Sequence, residues 1–112
     1  MRDCLFCRIV AGEIPSDRVL ETDEILAFSD ISPQAPTHVL VIPRRHIADM
    51  QSLTDDDDGL VAALFRGVRE VATNAGLESY RVVSNVGAEA GQTVDHLHLH
   101  VLGGRTMSWP PG

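Results

Sequence analysis

The segment "HLHLHVL", from His96 to Leu102, constrains the fold more than any other part of the chain. Histidine alternates with an apolar residue, and side chains two positions apart in a β-strand project from the same face. We therefore predict a strand that carries His96, His98 and His100 in a row on one face. The apolar side chains between them are expected to bury against the domain on the other face.

The rest of the chain predicts one α+β domain over residues 1–112. A main helix is expected after Thr54 as N-cap, ending near Gly76, and a short helix over Cys4–Ala11. The carboxylates of Asp55–Asp58 suit the first turn of the main helix, although an acidic binding patch is an alternative. Segments rich in β-branched and apolar residues predict the other strands: "RVLET", "EILAFSD", "THVLVIP" and "YRVVSNV". We expect a mostly antiparallel sheet of about five strands with the main helix packed on it.

The charge balance argues against nucleic acid as a partner. The formal net charge is −7, whereas binding to a phosphate backbone needs a basic surface. A small anion would have to be held by local donors such as backbone amides and histidines. No apolar run approaches the length of a membrane span, and the first residues lack the pattern of a secretory signal. We therefore expect a cytoplasmic protein with no membrane partner.

Three interpretations of the histidine row are open on the residues alone. A solvated polar face is the simplest, although threonine, serine or lysine would serve it equally well. Alternate histidines can share a metal ion, and a histidine can act as nucleophile or acid/base near neutral pH. The preceding segment "SNVGAEAGQTVD" favours catalysis, because Gly87 and Gly91 let backbone amides approach an anion closely. A hairpin connection would explain the same glycines.

Cys4 and Cys7 form the pair "CLFC". Without a secretory signal a structural disulfide is not expected. The pair also does not follow a strand of a βαβ unit, as a thioredoxin-like redox site would. Half of a metal site, or two small apolar residues in a helix, remain as interpretations.

The sequence resembles a known family. "HLHLHVL" matches the His-φ-His-φ-His-φ-φ signature, where φ is apolar, of the histidine triad (HIT) superfamily of nucleotide hydrolases and transferases. "CLFCRIVAGEIPS", "AFSDISPQAPTHVLVIPRRHI" and "NVGAEAGQTVDHLHLHVLGGRTMSWPPG" extend the resemblance to the HINT branch, the histidine triad nucleotide-binding proteins, over almost the full length. The resemblance implies a HIT-like fold and hydrolysis of purine nucleoside 5′-monophosphoramidates, with no cofactor needed for catalysis.

The resemblance also implies separate roles for the histidines. His98 matches the nucleophile, which attacks the α-phosphorus and forms a nucleotidyl-histidine. His100 would contact the phosphate oxygens, and the main-chain carbonyl of His96 would hold one ring nitrogen of His98. His38 would support the row from beside it. Thr93 stands where HINT proteins usually carry serine, close to the phosphate and the leaving group.

A nucleotide site follows from the same resemblance. Asp30 matches the carboxylate that binds the ribose hydroxyls, and Phe28 and Ile31 would line the base pocket. The phosphate and sugar contacts would come from Asn85, Gly91, Gln92, Thr93, His98 and His100. On the residues alone, the alternative is that Asp30 and Asn85 are turn residues. The expected ligand is a purine nucleotide of the AMP or GMP type.

Some bacterial members of the family bind zinc through a Cys-x-x-Cys pair and two histidines. The matching residues here are Cys4, Cys7, His46 and His96. Four such ligands suit a tetrahedral structural zinc. Reduced cysteines that only pack, with His46 on the surface, are the alternative.

HINT proteins are homodimers, and the tail over residues 103–112 resembles the segment that reaches toward the partner's active site. Trp109 would then shape specificity for the leaving group, whereas a frayed terminus is the usual alternative. Two other functions stay open. A sister branch cleaves dinucleoside polyphosphates with the same triad, and a nucleotide-sensing or zinc-dependent interaction protein would retain only vestigial catalysis.

Overall fold

A five-stranded antiparallel sheet is the framework of the computed structural model, which describes residues 3–112. The elements are α1 (Leu5–Val10), β1 (Arg18–Glu21), β2 (Ile25–Ser29), β3 (Thr37–Pro43), α2 (Asp58–Asn74), β4 (Tyr80–Val83) and β5 (Leu99–Gly103). The sheet order is β1-β2-β3-β5-β4, and all neighbouring strands are antiparallel. The predicted α+β class, with one main helix and a short N-terminal helix, is confirmed. No helix of the described residues is both long enough and apolar enough to cross a membrane.

Two separate hydrophobic cores lie on the two faces of the sheet. Alternate residues of β2 and β3 enter one core or the other, so both strands are buried on both faces. The core beneath α2 includes Val68 and Val71 of the helix. The core beneath α1 contains Phe6, Ile9, Leu26, Phe28, Leu40 and Ile42. Each large side chain buried in this way contributes roughly 1.5–3 kcal/mol, so the short α1 is attached mainly through Phe6 and Ile9.

The acidic run leads into α2 as a capped turn. Asp55–Asp57 form a short 3-10 turn, and α2 begins at Asp58. The backbone N–H of Thr54 donates to Asp57 Oδ2 at 2.9 Å, which closes a capping box. This bond and the neighbouring Arg45 lower the pKa of Asp57. At the other end Gly76 has φ of +71°, the left-handed conformation predicted for the residue after a helix.

The strand predicted over His96–Leu102 is wrong at its start, because β5 begins only at Leu99. The neighbouring strand β4 ends at Val83, also earlier than predicted, so no ladder continues beside the preceding residues. The backbone N–H of Leu97 instead donates to the carbonyl of Ile47 at 2.6 Å. The alternation of side chains nevertheless holds: Leu97, Leu99 and Val101 are buried beneath α2. The histidines therefore lie on the α1 face.

Candidate active site

A cavity of about 310 Å³ opens on the α1 face of the sheet. Its polar end carries His98 and His100, together with Asp30 and Thr93. Its apolar wall is formed by Leu5, Phe6, Ile9, Ile14, Phe28 and Leu40. A cavity with one apolar wall and a few convergent polar groups suits a small ligand that is flat and apolar at one end and charged at the other.

His98 is held in one orientation at the floor of this cavity. It is 6 % exposed, and its Nδ1–H donates to the main-chain carbonyl of His96 at 2.7 Å. The ring of Phe6 meets it edge-on, with centroids 5.2 Å apart. Ser84 Oγ donates to the carbonyl of His98 at 3.0 Å and fixes the backbone there. In a neutral ring whose proton sits on Nδ1, the lone pair is on Nε2, so Nε2 is the atom that could act as a nucleophile.

His100 belongs to a chain of hydrogen bonds that fixes its tautomer. The backbone N–H of Gln34 donates to His38 Nδ1 at 3.0 Å, so the proton of a neutral His38 ring is on Nε2. This Nε2–H donates to His100 Nδ1 at 2.9 Å, while Asp30 Oδ2 lies 3.5 Å from His38 Nε2. The proton of His100 is therefore on its own Nε2. His38 thus supports His100 directly and His98 only through it.

The pKa of His100 is lowered to about 4. Burial is the main cause, because it disfavours the charged ring, and the neighbouring His98 and His38 lower the pKa further. Asp30 acts in the opposite direction and is outweighed. At neutral pH His100 is therefore an uncharged hydrogen-bond donor.

Cys4, Cys7, His46 and His96 converge at the edge of the same face, with one ligand atom of each within 4.8 Å of the others. Their convergence is what the cysteine spacing alone could not show. His96 Nε2–H donates to the carbonyl of Pro43 at 2.8 Å, so its Nδ1 lone pair faces the Sγ atoms of Cys4 and Cys7 at 3.3 and 3.5 Å. Cys7 Sγ lies 3.3 Å from His46 Nδ1.

This group, which we call the thiol cluster, fits a zinc ion. Ligands of one tetrahedral zinc lie roughly 3.3–3.8 Å apart, and a ligating histidine commonly donates its other N–H to a carbonyl, as His96 does to Pro43. Burial raises the pKa of the Cys7 thiol, with Cys4 as the next cause. Burial also lowers the pKa of His96, which is fully buried. A neutral imidazole is the form that binds a metal, and a bound cation would deprotonate the thiols.

The segment before the histidine row is stabilised by hydrogen bonds from a buried side chain within it. Gly87 and Gly91 have φ of +87° and +95°, so both turns need glycine as predicted. The side chain of Gln92 is 8 % exposed, and its Nε2 donates to the carbonyls of Ala48 and Val94 at 2.8 and 3.0 Å. Its Oε1 accepts from the backbone N–H of Gly87 at 2.9 Å. The side-chain amide of Gln92 therefore donates to main-chain carbonyls around the loop, and the main chain of Gln92 is the part that remains available to a ligand.

The other predicted residues differ in position. Phe28, Asp30 and Ile31 line the cavity, as does Thr93. Asp30 also makes a turn, since its Oδ1 accepts from the backbone N–H of Ser32 at 2.8 Å. The remaining three of the predicted nucleotide contacts do not line the cavity: Asn85, Gly91 and Gln92.

Trp109 is 82 % exposed and lies outside the cavity of this single chain. The tail around it is nevertheless tied to the domain. Arg81 donates to the carbonyl of Ser108 at 2.9 Å, and Arg105 Nε donates to the carbonyl of Gln34 at 3.0 Å. These contacts describe an ordered tail and not a frayed one.

Sequence reasoning missed the contribution of α1 to the cavity. Leu5, Phe6 and Ile9 form much of the apolar wall. Their helical spacing was a signal, since residues three and four apart share one face of a helix. The carbonyl of Pro43, which accepts from His96, had no such signal, because every residue carries a carbonyl. The bond from His98 to the carbonyl of His96 was expected only from the resemblance.

The chain is similar to known proteins in both sequence and fold. The HIT domain family matches residues 11–107. An uncharacterized HIT-like protein of Synechocystis is 49 % identical over 111 residues, covering 98 % of this chain and 97 % of the relative. The crystal structure of a HIT family hydrolase from Legionella pneumophila is 52 % identical with a TM-score of 0.96, covering 98 % of this chain and 100 % of that one. A histidine triad nucleotide-binding protein from Candida albicans is 34 % identical with a TM-score of 0.83, covering 96 % and 83 %.

These matches extend over nearly the whole chain, and the solved structures share both its fold and its sequence. The similar structure from Legionella is called a hydrolase, and two histidines of the row, His98 and His100, line a cavity, as hydrolysis at a histidine would require. The chain therefore belongs to the HIT (histidine triad) family and resembles its hydrolases.

Proposed function

We propose that this protein binds purine nucleotides and hydrolyses the P–N bond of purine nucleoside 5′-monophosphoramidates through a covalent intermediate on His98. The observation that carries the proposal is the 2.7 Å hydrogen bond from His98 Nδ1 to the carbonyl of His96. It keeps the lone pair on Nε2 in a residue that lines a cavity of nucleoside size. The similar nucleotide-binding protein from Candida albicans supports the choice of ligand.

The cavity offers a place for each part of the substrate. The apolar wall around Phe28 takes the base, whose flat surface it matches. Asp30 keeps Oδ2 near the polar end and accepts hydrogen bonds from the ribose hydroxyls. The phosphate then lies near Thr93, His98 and His100, with Asn85 and the amides of the glycine turns beyond them.

In the first step His98 Nε2 attacks the α-phosphorus and forms a new P–N bond. The bond to the substrate nitrogen breaks, and the amine leaves after taking a proton from water. His98 becomes positively charged, and its Nδ1–H stays on the carbonyl of His96, which stabilises that charge. His100 donates Nε2–H to a phosphate oxygen and so balances the charge that builds there.

In the second step water attacks the phosphorus and loses a proton to solvent. The bond between phosphorus and His98 Nε2 breaks, and the nucleoside monophosphate leaves. His98 recovers its lone pair without any change at Nδ1. One difficult displacement is thereby divided into two easier ones.

Intact-mass spectrometry after brief exposure to adenosine 5′-phosphoramidate tests the intermediate. We expect an adenylyl adduct on the wild type that acid removes, and none on His98→Asn. The variant should still bind AMP, because the cavity remains, while hydrolysis falls at least about a thousandfold. An active His98→Asn protein, or an adduct that persists in it, would show that His98 is not the nucleophile.

Two other functions are separated by substrate. If the chain were a dinucleoside polyphosphate hydrolase, kcat/KM for diadenosine tetraphosphate would exceed that for adenosine 5′-phosphoramidate. If it were an interaction protein with vestigial catalysis, AMP would bind but no adduct would form and turn over. We expect the phosphoramidate to be preferred.

We also propose that the thiol cluster holds one structural zinc. Zinc bound there would cross-link α1 to the residues that follow β3 and precede β5, and it would take no part in either chemical step. The facing lone pairs of His96 Nδ1 and the two thiols support this assignment. The purified wild type should carry about one zinc per chain, and Cys4→Ser/Cys7→Ser should carry almost none.

Finally, we propose a homodimer in which residues 103–112 reach the partner's cavity. The 82 % exposure of Trp109, on a tail held by Arg81, supports a docking role. Light scattering should then give twice the chain mass, and Trp109→Ala should change the relative kcat/KM of substrates with small and bulky amines. A monomer with unchanged preference would contradict this.

A further inference from the structure

The short helix α1 belongs to two sites at once. Cys4 caps its N-terminus and Cys7 lies in its first turn, and both thiols face the cluster. Leu5, Phe6 and Ile9 line the cavity from the same helix. Any change in the position of α1 therefore alters both sites.

His96 is shared in the same way. Its ring Nδ1 faces the two thiols, and its main-chain carbonyl holds His98 Nδ1 at 2.7 Å. The residue is 0 % exposed. The ring of Phe6 lies between the sites, with centroids 5.9 Å from His96 and 5.2 Å from His98.

The attachment of α1 to the domain depends on contacts outside the helix, because a helix of six residues is too short to be stable alone. These contacts include the burial of Phe6 and Ile9 and a hydrogen bond from Arg18 to the carbonyl of Ile9. Weak thiol–imidazole contacts from Cys4 and Cys7 add to them. A zinc ion held by α1, His46 and His96 would close three chain segments around one point, which restricts α1 far more.

We propose that Cys4, Cys7 and His46 are positioning residues for the nucleotide site, which act on it through α1 and His96. Metal binding docks α1, completes the apolar wall and fixes the carbonyl that holds His98, so nucleotide binds more tightly. Linkage makes the effect reciprocal: bound nucleotide must lower the Kd for zinc by the same factor. This inference rests on both the zinc site and the nucleotide site proposed above.

The effect of zinc on AMP affinity can be measured by calorimetry of AMP binding to the full chain, in its zinc-loaded and chelator-treated forms. We expect the Kd for AMP to rise about tenfold when zinc is removed. Ribose 5-phosphate, which lacks the base that α1 contacts, should show a smaller ratio. Cys4→Ser/Cys7→Ser should bind AMP as the metal-free wild type does and should not respond to added zinc.

Competition for zinc between the wild type and a chromogenic chelator at equilibrium, with and without AMP, tests the reciprocal effect. It uses only the wild type, so it stands even if the cysteine variant does not fold. AMP should lower the Kd for zinc about tenfold. Equal zinc Kd values, with AMP bound and zinc stoichiometric, would overturn the coupling while the proposed function survives.

Two further outcomes are distinct. A wild type that binds no AMP, with or without zinc, would overturn the proposed function and this inference together. A wild type that binds AMP and forms the His98 adduct but takes up no zinc would overturn the thiol cluster as a metal site, and the coupling with it.

Discussion

The histidines fall into two groups that use opposite ring nitrogens. In the thiol cluster, Nδ1 of His46 and Nδ1 of His96 face sulfur atoms. In the cavity group, His38, His98 and His100, each Nδ1 is committed to a neighbouring group inside the protein. The residue type is the same, and the backbone partner decides which nitrogen is available. The proposed zinc ligand His96 and the proposed nucleophile His98 can therefore lie two residues apart without competing for the same kind of ring nitrogen.

Removing the two thiols should affect the thiol cluster most. Cys4→Ser/Cys7→Ser should lower the free energy of unfolding by about 3–4 kcal/mol when free zinc is a hundred- to a thousandfold above its Kd. Urea denaturation in zinc-containing buffer measures the loss. The control is the wild type in excess chelator, which should fall to the level of the variant. If chelator leaves the wild type unchanged, the cluster contributes through packing and not through zinc.

A second change tests the cavity group alone. His38→Phe removes the N–H that His100 Nδ1 accepts, and leaves the backbone N–H of Gln34 without its acceptor. With His100 no longer fixed as a donor toward phosphate, kcat should fall roughly tenfold to a hundredfold. Zinc content should be unchanged, because no ligand of the thiol cluster is touched. His38→Gln, whose amide can still donate, should lose less activity.

The smallest expected effect concerns the pKa of His100, about 4 in the folded chain against an ordinary 6.5. Between these values the unfolded chain binds a proton that the folded chain refuses, so stability falls as pH drops from 6.5 toward 4 and then levels off. By pH 5 this lowers the free energy of unfolding by at most about 2 kcal/mol. Asp30, His38 and His98 are the titratable groups that face it.

Urea denaturation at pH 7 and pH 5 checks this value. Chelator should be present in both buffers, so that loss of zinc at low pH does not contribute. His100→Gln should lose less stability than the wild type over the same interval. Equal losses in the two proteins would mean that burial does not depress the pKa of His100.

Around β5, the sequence could predict some features of the fold and not others. The sides on which Leu97, Leu99 and the histidines lie follow from alternation alone, because side-chain period survives even where the ladder stops. The start of β5 does not follow, since it depends on the bond from Leu97 N–H to Ile47, distant in sequence. The local sequence pattern determines on which face of the sheet each side chain lies, whereas backbone partners distant in sequence determine where a strand begins.

The site divides similarly. The resemblance to the HIT superfamily implied the roles of His98 and Asp30, the four members of the thiol cluster, and the bond from His98 to the carbonyl of His96. Nothing in the sequence indicated that the carbonyl of Pro43 fixes the proton of His96, because carbonyls are common to all residues. Gln92 was predicted as a phosphate contact, yet its amide is bonded to three backbone groups of its own surroundings. A polar side chain in a loop beside a ligand site can stabilise the loop as readily as it can contact the ligand.

The position of β5 has a consequence for biosynthesis. It follows the other described strands along the chain, yet it lies between β3 and β4. Cys4 is synthesised 92 residues ahead of His96, so its thiol leaves the ribosome long before its imidazole partner exists. A chain that stops before His96 therefore lacks both the proposed nucleophile His98 and one of the four members of the thiol cluster. We expect both sites to form together, when β5 inserts into the sheet.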